Sequence, residues 1–403
     1  NLCTRDTAFT VRATNAAAGA TKVSGGTFNK SISEGYCANG FIPTKNADGT
    51  YGVKKGKYVA TVGDTGYETL AAAVKTKING KTVMLLDDVT ENIEIAKAKN
   101  FTLDLNGHTI NGGTVKDKAT IMNNGTVTIT DSSAAKTGTI KRDDNGTVGE
   151  TSYYVIHNIG TMTIEQAIVT NNSGYKKTNP SGSMVGSSLI CNGDNDLGGT
   201  LNISGGKFEQ KNFIAIKNGA LGKLNVTGGT ISSDHSAIQN WFEATITGGE
   251  INGQLWTDAY IADESVGHTT IGGSAKYTGE IVMDISGSSV KPTLEISGGN
   301  LNVTNWRITT AAAKAGAKPA VAGGKFTSAV PENYCADGYV PTENEDGTYG
   351  VKVDDSVAEV GGVKYLSLQA AIDAAGRKQT VKLLKDTTEN VTMATPYLTL
   401  DLN

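Results

Sequence analysis

From about residue 82 the chain alternates apolar and polar positions in short runs such as TVTIT (126–130) and ATIT (244–247). A side-chain period of two marks half-buried β-strands. Paired glycines break the runs, which then resume, in VSGGTF (23–28), ISGGKF (203–208), VTGGTI (226–231), ITGGEI (246–251), ISGGNL (296–301) and VAGGKF (321–326). From Gly205 the steps to Gly228, Gly248, Gly298 and Gly323 are 23, 20, 50 and 25, and IGGS (271–274) splits the fifty. A leucine-rich repeat has a similar length but needs its own leucine spacing and a helical return, and the pattern has neither. The pattern predicts an all-β solenoid. With coils roughly 4.8 Å apart, some nine or ten of them from residue 82 to 328 would make a rod of about 45 to 50 Å.

A second register points the same way. An asparagine follows an aliphatic residue by two positions in Ile121-Met122-Asn123, Ile156-His157-Asn158, Ile190-Cys191-Asn192, Ile216-Lys217-Asn218 and Ile238-Gln239-Asn240. Stacked coils would place these amides in one column, each donating to one neighbour and accepting from the other. Asparagine is also a frequent turn residue in its own right.

A solenoid needs caps. TLAAAVKTKI (69–78) reads as one, with Thr69 as N-cap, Leu70, Val74 and Ile78 on one helical face, and Gly80 ending the helix. SLQAAIDAAG (367–376) is its copy, with Ser367 as N-cap and Leu368, Ile372 and Ala375 on the face. The copying is general. KNADGTYGVK (45–54) returns as ENEDGTYGVK (343–352), and Cys335 follows Cys37 by 298 positions. The same offset relates Tyr365 to Tyr67, Leu383 to Leu85 and Glu389 to Glu91; it slips by one before Asp401-Leu402-Asn403, which matches Asp104-Leu105-Asn106. The expected organisation is therefore the end of one β-helix unit (1–28), a linker hairpin (29–63) turning at Asp48-Gly49, and a full unit (64–328) with its helix cap (64–80). A second hairpin (329–356) and the start of the next unit (357–403) follow. A chain that begins and ends within a repeat is expected to have its export signal and wall anchor outside this stretch.

Together the amphipathic cap, TVMLLDDVTENIEI (82–95), FTLDLNGHTI (101–110) and the recurring Gly-Gly coils resemble the pectin-lyase-like surface proteins of Gram-positive anaerobes. The resemblance implies a right-handed parallel β-helix, an extracellular location at the cell surface or wall, and adjacent repeat units of the same chain as neighbours. It does not fix a function, because the fold carries lyases, glycosidases and adhesins alike.

Composition narrows the functions. Fifty glycines and 6% aromatic residues suit a narrow stacked core. A net charge of −4, from 36 basic and 40 acidic residues, gives no basic field for nucleic acid. No stretch is apolar enough to cross a membrane as a helix. Cys3, Cys37, Cys191 and Cys335 form no CxxC pair, which argues against zinc and leaves disulfide and packed thiol both open.

Candidate chemistry is sparse. Outward positions of the strand before Gly-Gly would be Asp104 and Asn106, Thr128 and Thr130, Thr163 and Glu165, Asn202 and Ser204, Asn225 and Thr227, Thr245 and Thr247, Thr270, Glu295 and Ser297. This face is neutral and hydroxylated, whereas a glycosidase needs paired carboxylates and a lyase a base beside acidic groups. Threonine ladders of this kind also occur in ice-binding solenoids. Asp194-Asn195-Asp196 before Gly198 and Asp143-Asp144-Asn145 before Gly146 offer oxygens to calcium through Asp194 and Asp196, or are plain solvated turns. His235 beside Asp234 is either an acid–base pair or a loop histidine. Trp241, Trp256, Tyr260 and Trp306 interrupt the small-residue pattern, so they either bind a glycan or host surface protein from the surface or fill a widened core. The expected function is a surface-displayed adhesin or structural stalk, with a carbohydrate-active enzyme or a non-catalytic glycan-binding module as alternatives.

Overall fold

The computed structural model describes residues 22–143, 153–171, 188–194, 196–211, 213–261 and 265–403. It is an all-β structure with a few short helices, dominated by one large sheet whose strand pairs are mostly parallel. The described chain divides into two compact units after Lys318.

In the first unit the strands form three parallel ladders, and through its first half each strand pairs with the third one along. The first ladder contains Thr82–Leu85, Asn100–Asp104, Thr126–Thr130, Thr161–Ile164, Thr200–Ile203, Lys223–Val226, Glu243–Ile246, His268–Ile271 and the start of Thr293–Ile308. The second contains Thr109–Asn111, Thr139–Arg142, Ile168–Asn171 and Lys207–Gln210. The third contains Ile93–Ile95, Ile121–Asn123, Ile156–Asn158, Ile190–Asn192 and Ile214–Asn218. The later strands Thr230–Asn240, Glu250–Ile261 and Lys276–Ile285 run through both the second and third ladders, with register shifts where separate strands had met.

In-register stacking puts like residues above like, and this builds the core. Val83, Leu103, Ile129, Ile164, Ile203, Val226, Ile246, Ile271 and Ile296 form one column of the first ladder, each at most 2% exposed. Burying each such side chain contributes about 1.5–3 kcal/mol, which is how so narrow a core holds the chain. The Gly-Gly corners are steric. A Cβ on Gly228 would lie 2.2 Å from the Ser204 carbonyl oxygen, and Gly229 has φ +79°. ISGGNL nevertheless does not interrupt its strand, because Thr293–Ile308 continues through it.

The cap helix α1 (Leu70–Lys75) is shorter than its pattern predicts. Thr76 folds back, its hydroxyl donating to the Ala73 carbonyl at 2.8 Å, and Ile78 reaches the core from beyond the helix at 0% exposure. Helix α2 (Thr310–Lys314) follows the last long strand, with Thr309 as its N-cap.

The second unit carries a hairpin, Tyr339–Glu343 with Tyr349–Val353, paired as Phe41–Lys45 is with Tyr51–Lys55 in the first unit. In both turns the Asp carboxylate accepts from the Thr two residues on, Asp48 from Thr50 and Asp346 from Thr348. Helix α3 (Leu368–Ala374) and a four-stranded sheet enclose a core of Val360, Leu368, Ile372 and Val381. The break at Lys318 falls before the segment VAGGKF, ten residues earlier than the pattern placed it. The reason is pairing: Val321 bridges Cys335 and Phe326 pairs with Tyr349, as Val23 bridges Cys37 and Phe28 bridges Tyr51.

Candidate functional site

The corner between the third and first ladders is held by side-chain amides. Asn123 Nδ2 donates to Asn158 Oδ1, Asn158 to Asn192, Asn192 to Asn218 and Asn218 to Asn240, at 2.7, 2.7, 2.7 and 2.8 Å. All five are fully buried. Each Nδ2 also reaches a backbone carbonyl of the next rung, such as Thr161, Thr200, Lys223, Glu243 and His268. The column ends on hydroxyls that sequence reasoning missed. Asn240 donates to Thr269 Oγ1 at 2.9 Å, and Thr269 and Thr257 share a 2.7 Å hydrogen bond. An inward threonine in the apolar phase of HTTI (268–271) was the available signal.

On the outer side of the first ladder, Thr102, Thr128, Thr163, Asn202, Asn225, Thr245, Thr270 and Glu295 stand in register. Asp104 does not belong to this open face. It is 6% exposed, and its Oδ1 accepts from the amides of Asn106 and Ser132, both at 2.9 Å. The chain turns immediately after it, and unpaired corner amides draw the carboxylate inward.

Trp241 and Trp256 are likewise not surface residues: they are 3% and 2% exposed. Trp256 stands on the outward phase of the third ladder, in one column with Met122, His157, Cys191, Lys217 and Gln239, and this phase is covered. Trp241 follows the column of asparagines and lies flat against Tyr260, with centroids 4.5 Å apart and planes 12° from parallel. Tyr260 is half-buried. Trp306 occupies the inward column of Ile281 on the adjacent strand and is half-buried. The aromatics thus serve three different places.

The covered column forms a second buried layer with mixed chemistry. Tyr154, 1% exposed, lies 5.5 Å from the His157 ring and packs on Cys191. Lys217 Nζ sits 4.7 Å from the Trp241 ring centroid and 6.0 Å from that of Tyr154. Burial sets the proton affinities here. It pushes the Lys217 amine down against the opposing influence of Cys191, pushes the Cys191 thiol up against Lys217, and pushes His157 down against Asp194. Among the described residues, Tyr154 Oη, His157 Nε2 and Trp241 Nε1 are buried without a hydrogen-bond partner. Tyr154 lies beside the Cys191 thiol and Trp241 beside the Asp258 carboxylate, in each case outside hydrogen-bond geometry.

Against known protein families, curated proteins and solved structures, the chain matches nothing. Its chemistry must be read from its own geometry. Asp194 Oδ1 accepts from the amides of Asp196 and Leu197 at 2.9 and 2.7 Å, leaving Oδ2 facing His157 Nε2 at 4.0 Å. Asp196 is exposed, and Asn195 lies outside the described residues. Asp143 takes a 2.7 Å hydrogen bond from Asn111; Asp144, Asn145 and Gly146 lie outside the described residues. Among the described residues no group of three or more His, Cys, Asp or Glu side chains is placed to hold a metal ion, and no helix is long and apolar enough to cross a membrane. Cys37 and Cys191 are buried free thiols, Cys335 is buried as well, and Cys3 lies outside the described residues.

Two polar networks escaped sequence reasoning. His235 Nδ1 meets Ser236 Oγ at 2.8 Å, Ser236 donates to Gln254, and Gln254 donates to Glu280. Burial pushes the Glu280 carboxyl up, but donation from Arg307, Gln254 and Asn305 outweighs it and holds the group below its usual range. Asp258 and Asp284 stand in register on adjacent strands. Asp258 accepts from the Ser286 amide and hydroxyl at 3.1 and 2.6 Å, and Asp284 from Thr309 Oγ1 at 2.6 Å. Burial, with the neighbouring Asp284 charge adding to it, pushes Asp258 up to about 6 against donation from Ser286.

Proposed function

We propose that this chain is part of an extracellular tandem-repeat protein of the cell surface or wall, acting as an adhesin or structural stalk. In this reading the three ladders are the faces of a right-handed parallel β-helix of the pectin-lyase-like kind, and the two units are successive copies in one array. The duplicated capping device carries it. Glu91 accepts from the first amides of α1, Leu70 and Ala71, at 2.9 and 2.8 Å, and Glu389 accepts from Leu368 and Gln369 at 3.0 and 3.2 Å. A cap that recurs with its helix, its hairpin and the backbone pairing of Val23 with Cys37 and Val321 with Cys335 is what a modular display protein requires, since each rod must be closed before the next begins. Many weak contacts along such an array add up through avidity.

A carbohydrate-active enzyme is the rival reading, and the register pair Asp258 and Asp284 is its best support. Against it, Asp258 is 1% exposed and both its oxygens hold Ser286. The test is binding of the chain to an array of host and plant glycans, with reducing ends and unsaturated products assayed in the same wells. Saturable binding without product supports the adhesin; product overturns it; silence in both arms reduces the chain to a stalk.

A further inference from the structure

In each unit the linker runs into the cap through the same backbone. Ala60–Val62 pairs antiparallel with Thr65–Tyr67 and with Thr82–Leu85, and Ala358–Val360 pairs with Val363–Tyr365 and Thr380–Leu383 in the same register. The buried side chains of the two linker strands are identical too, Ala60 and Val62 against Ala358 and Val360. Neither pairing nor core tells one copy from the other. Opening the turn at 63–64 would let the linker of one chain pair with the second unit of another, an exchange to which repeat proteins are prone.

The side chains around this strand do differ between the copies, and they differ as matched sets. Lys57 pairs with Asp87, whereas 298 positions on Asp355 pairs with Lys385, so the signs are reversed on both sides. Tyr58 covers Gly66, where a Cβ would stand 2.1 Å from its ring. The second unit has Ser356 and Lys364 at these positions, and Lys364 reaches Asp354, which stands in place of Gly56, at 2.7 Å.

We propose that the junction of linker and cap is a self-recognition surface, whose charges and shape admit the start of the linker's own unit and reject that of the other copy in a second chain. In a crossed assembly Lys57 would face Lys385, Asp355 would face Asp87, and the Tyr58 ring would overlap the Lys364 side chain. Like-charge repulsion and steric overlap then act only on the wrong pairing, and discrimination between near-identical partners needs such a penalty. Exposed ion pairs contribute little to stability. A pair reversed in sign at the same place is thus better explained by choice of partner than by support of the fold. The inference concerns assembly and goes beyond the adhesive reading, since any tandem chain must keep its copies from exchanging, whatever it binds.

The test is refolding of the full chain from urea at high micromolar concentration, with light scattering to separate monomer from exchanged dimer. Lys57→Asp with Asp87→Lys keeps an ion pair but gives the first unit the signs of the second, and the dimer fraction is expected to rise about fivefold. Adding Asp355→Lys with Lys385→Asp exchanges the signs completely and should return the fraction to that of the unaltered chain. At about 1 M salt, where charges are screened within about 3 Å, the three chains should converge. A dimer fraction unmoved by the first pair of substitutions, not restored by the second, or still different at high salt overturns the proposal. Any loss of stability from the first pair does not blur the result, because the fully exchanged variant carries the same two changes.

Discussion

Asn192 donates from Nδ2 to Asn218 Oδ1 at 2.7 Å while its own Oδ1 receives Asn158 Nδ2 at the same distance. Every amide in the column points the same way along the stack, so each bond polarises the next in a buried corner. Asn192→Ala removes a link and leaves buried groups on both sides without partners. It should lower the unfolding free energy by about 2–4 kcal/mol. Asn225→Ala, which removes a half-buried amide bonded to Asn202 on the outer face, should cost under about 1 kcal/mol. Urea titrations of the two variants decide this, and equal losses would show that the column is not a special support.

The caps make a second prediction. Glu91 lies 21 residues beyond Leu70, yet its carboxylate closes the first turn of α1. Glu91→Ala should cost about 1 kcal/mol, the usual value of a lost N-cap. Its signature is faster amide exchange at Leu70 and Ala71 with protection unchanged at Ile129 and Ile164. Uniform exchange across both places would mean that the cap is not a local device.

Much of this architecture is legible in the sequence, and the limits have physical causes. Alternation gives the all-β character, and repeated spacing gives the stacking of like on like, because a ladder in register repeats its residues. The asparagine register can be read for the same reason, since each amide follows an aliphatic by two. Which outward face is covered is another matter. Trp256 stands on an outward phase and is buried nonetheless, because strand periodicity records direction and not what packs above. The pairing of Glu91 with α1 is long-range and locally invisible; only the return of Thr-Glu-Asn at 388–390, at the offset of the second helix, hints at it.

Burial of Trp241 against Tyr260 predicts a structural cost before any binding effect. Trp241→Ala should destabilise the chain by about 3–5 kcal/mol, as large-to-small changes in a packed layer do. Trp241→Phe, which keeps an aromatic face for Tyr260, should lose under about half of that. Thermal melts separate the two. A mild Trp241→Ala variant would mean that the ring is held loosely and free to serve the surface.

Asp258 should make stability depend on pH in the sense opposite to an ordinary ion-paired carboxylate. Its folded-state value of about 6 lies above the roughly 3.9 of an unfolded aspartate, so the folded chain holds the proton more tightly. The stabilisation is complete below about pH 4 and is lost as pH rises through 6. The gap between the folded and unfolded values corresponds to about 3 kcal/mol at most. Burial is the main cause, with the in-register charge of Asp284 second, so Asp258→Asn should flatten the slope between pH 4 and 7, and Asp284→Asn should reduce it in part. The comparison is between urea midpoints of the unaltered chain and the two variants across that range. If the unaltered chain gains stability as pH rises from 4 to 7, and Asp258→Asn gains it equally, Asp258 is ionised throughout and the corner is wetter than its 1% exposure implies.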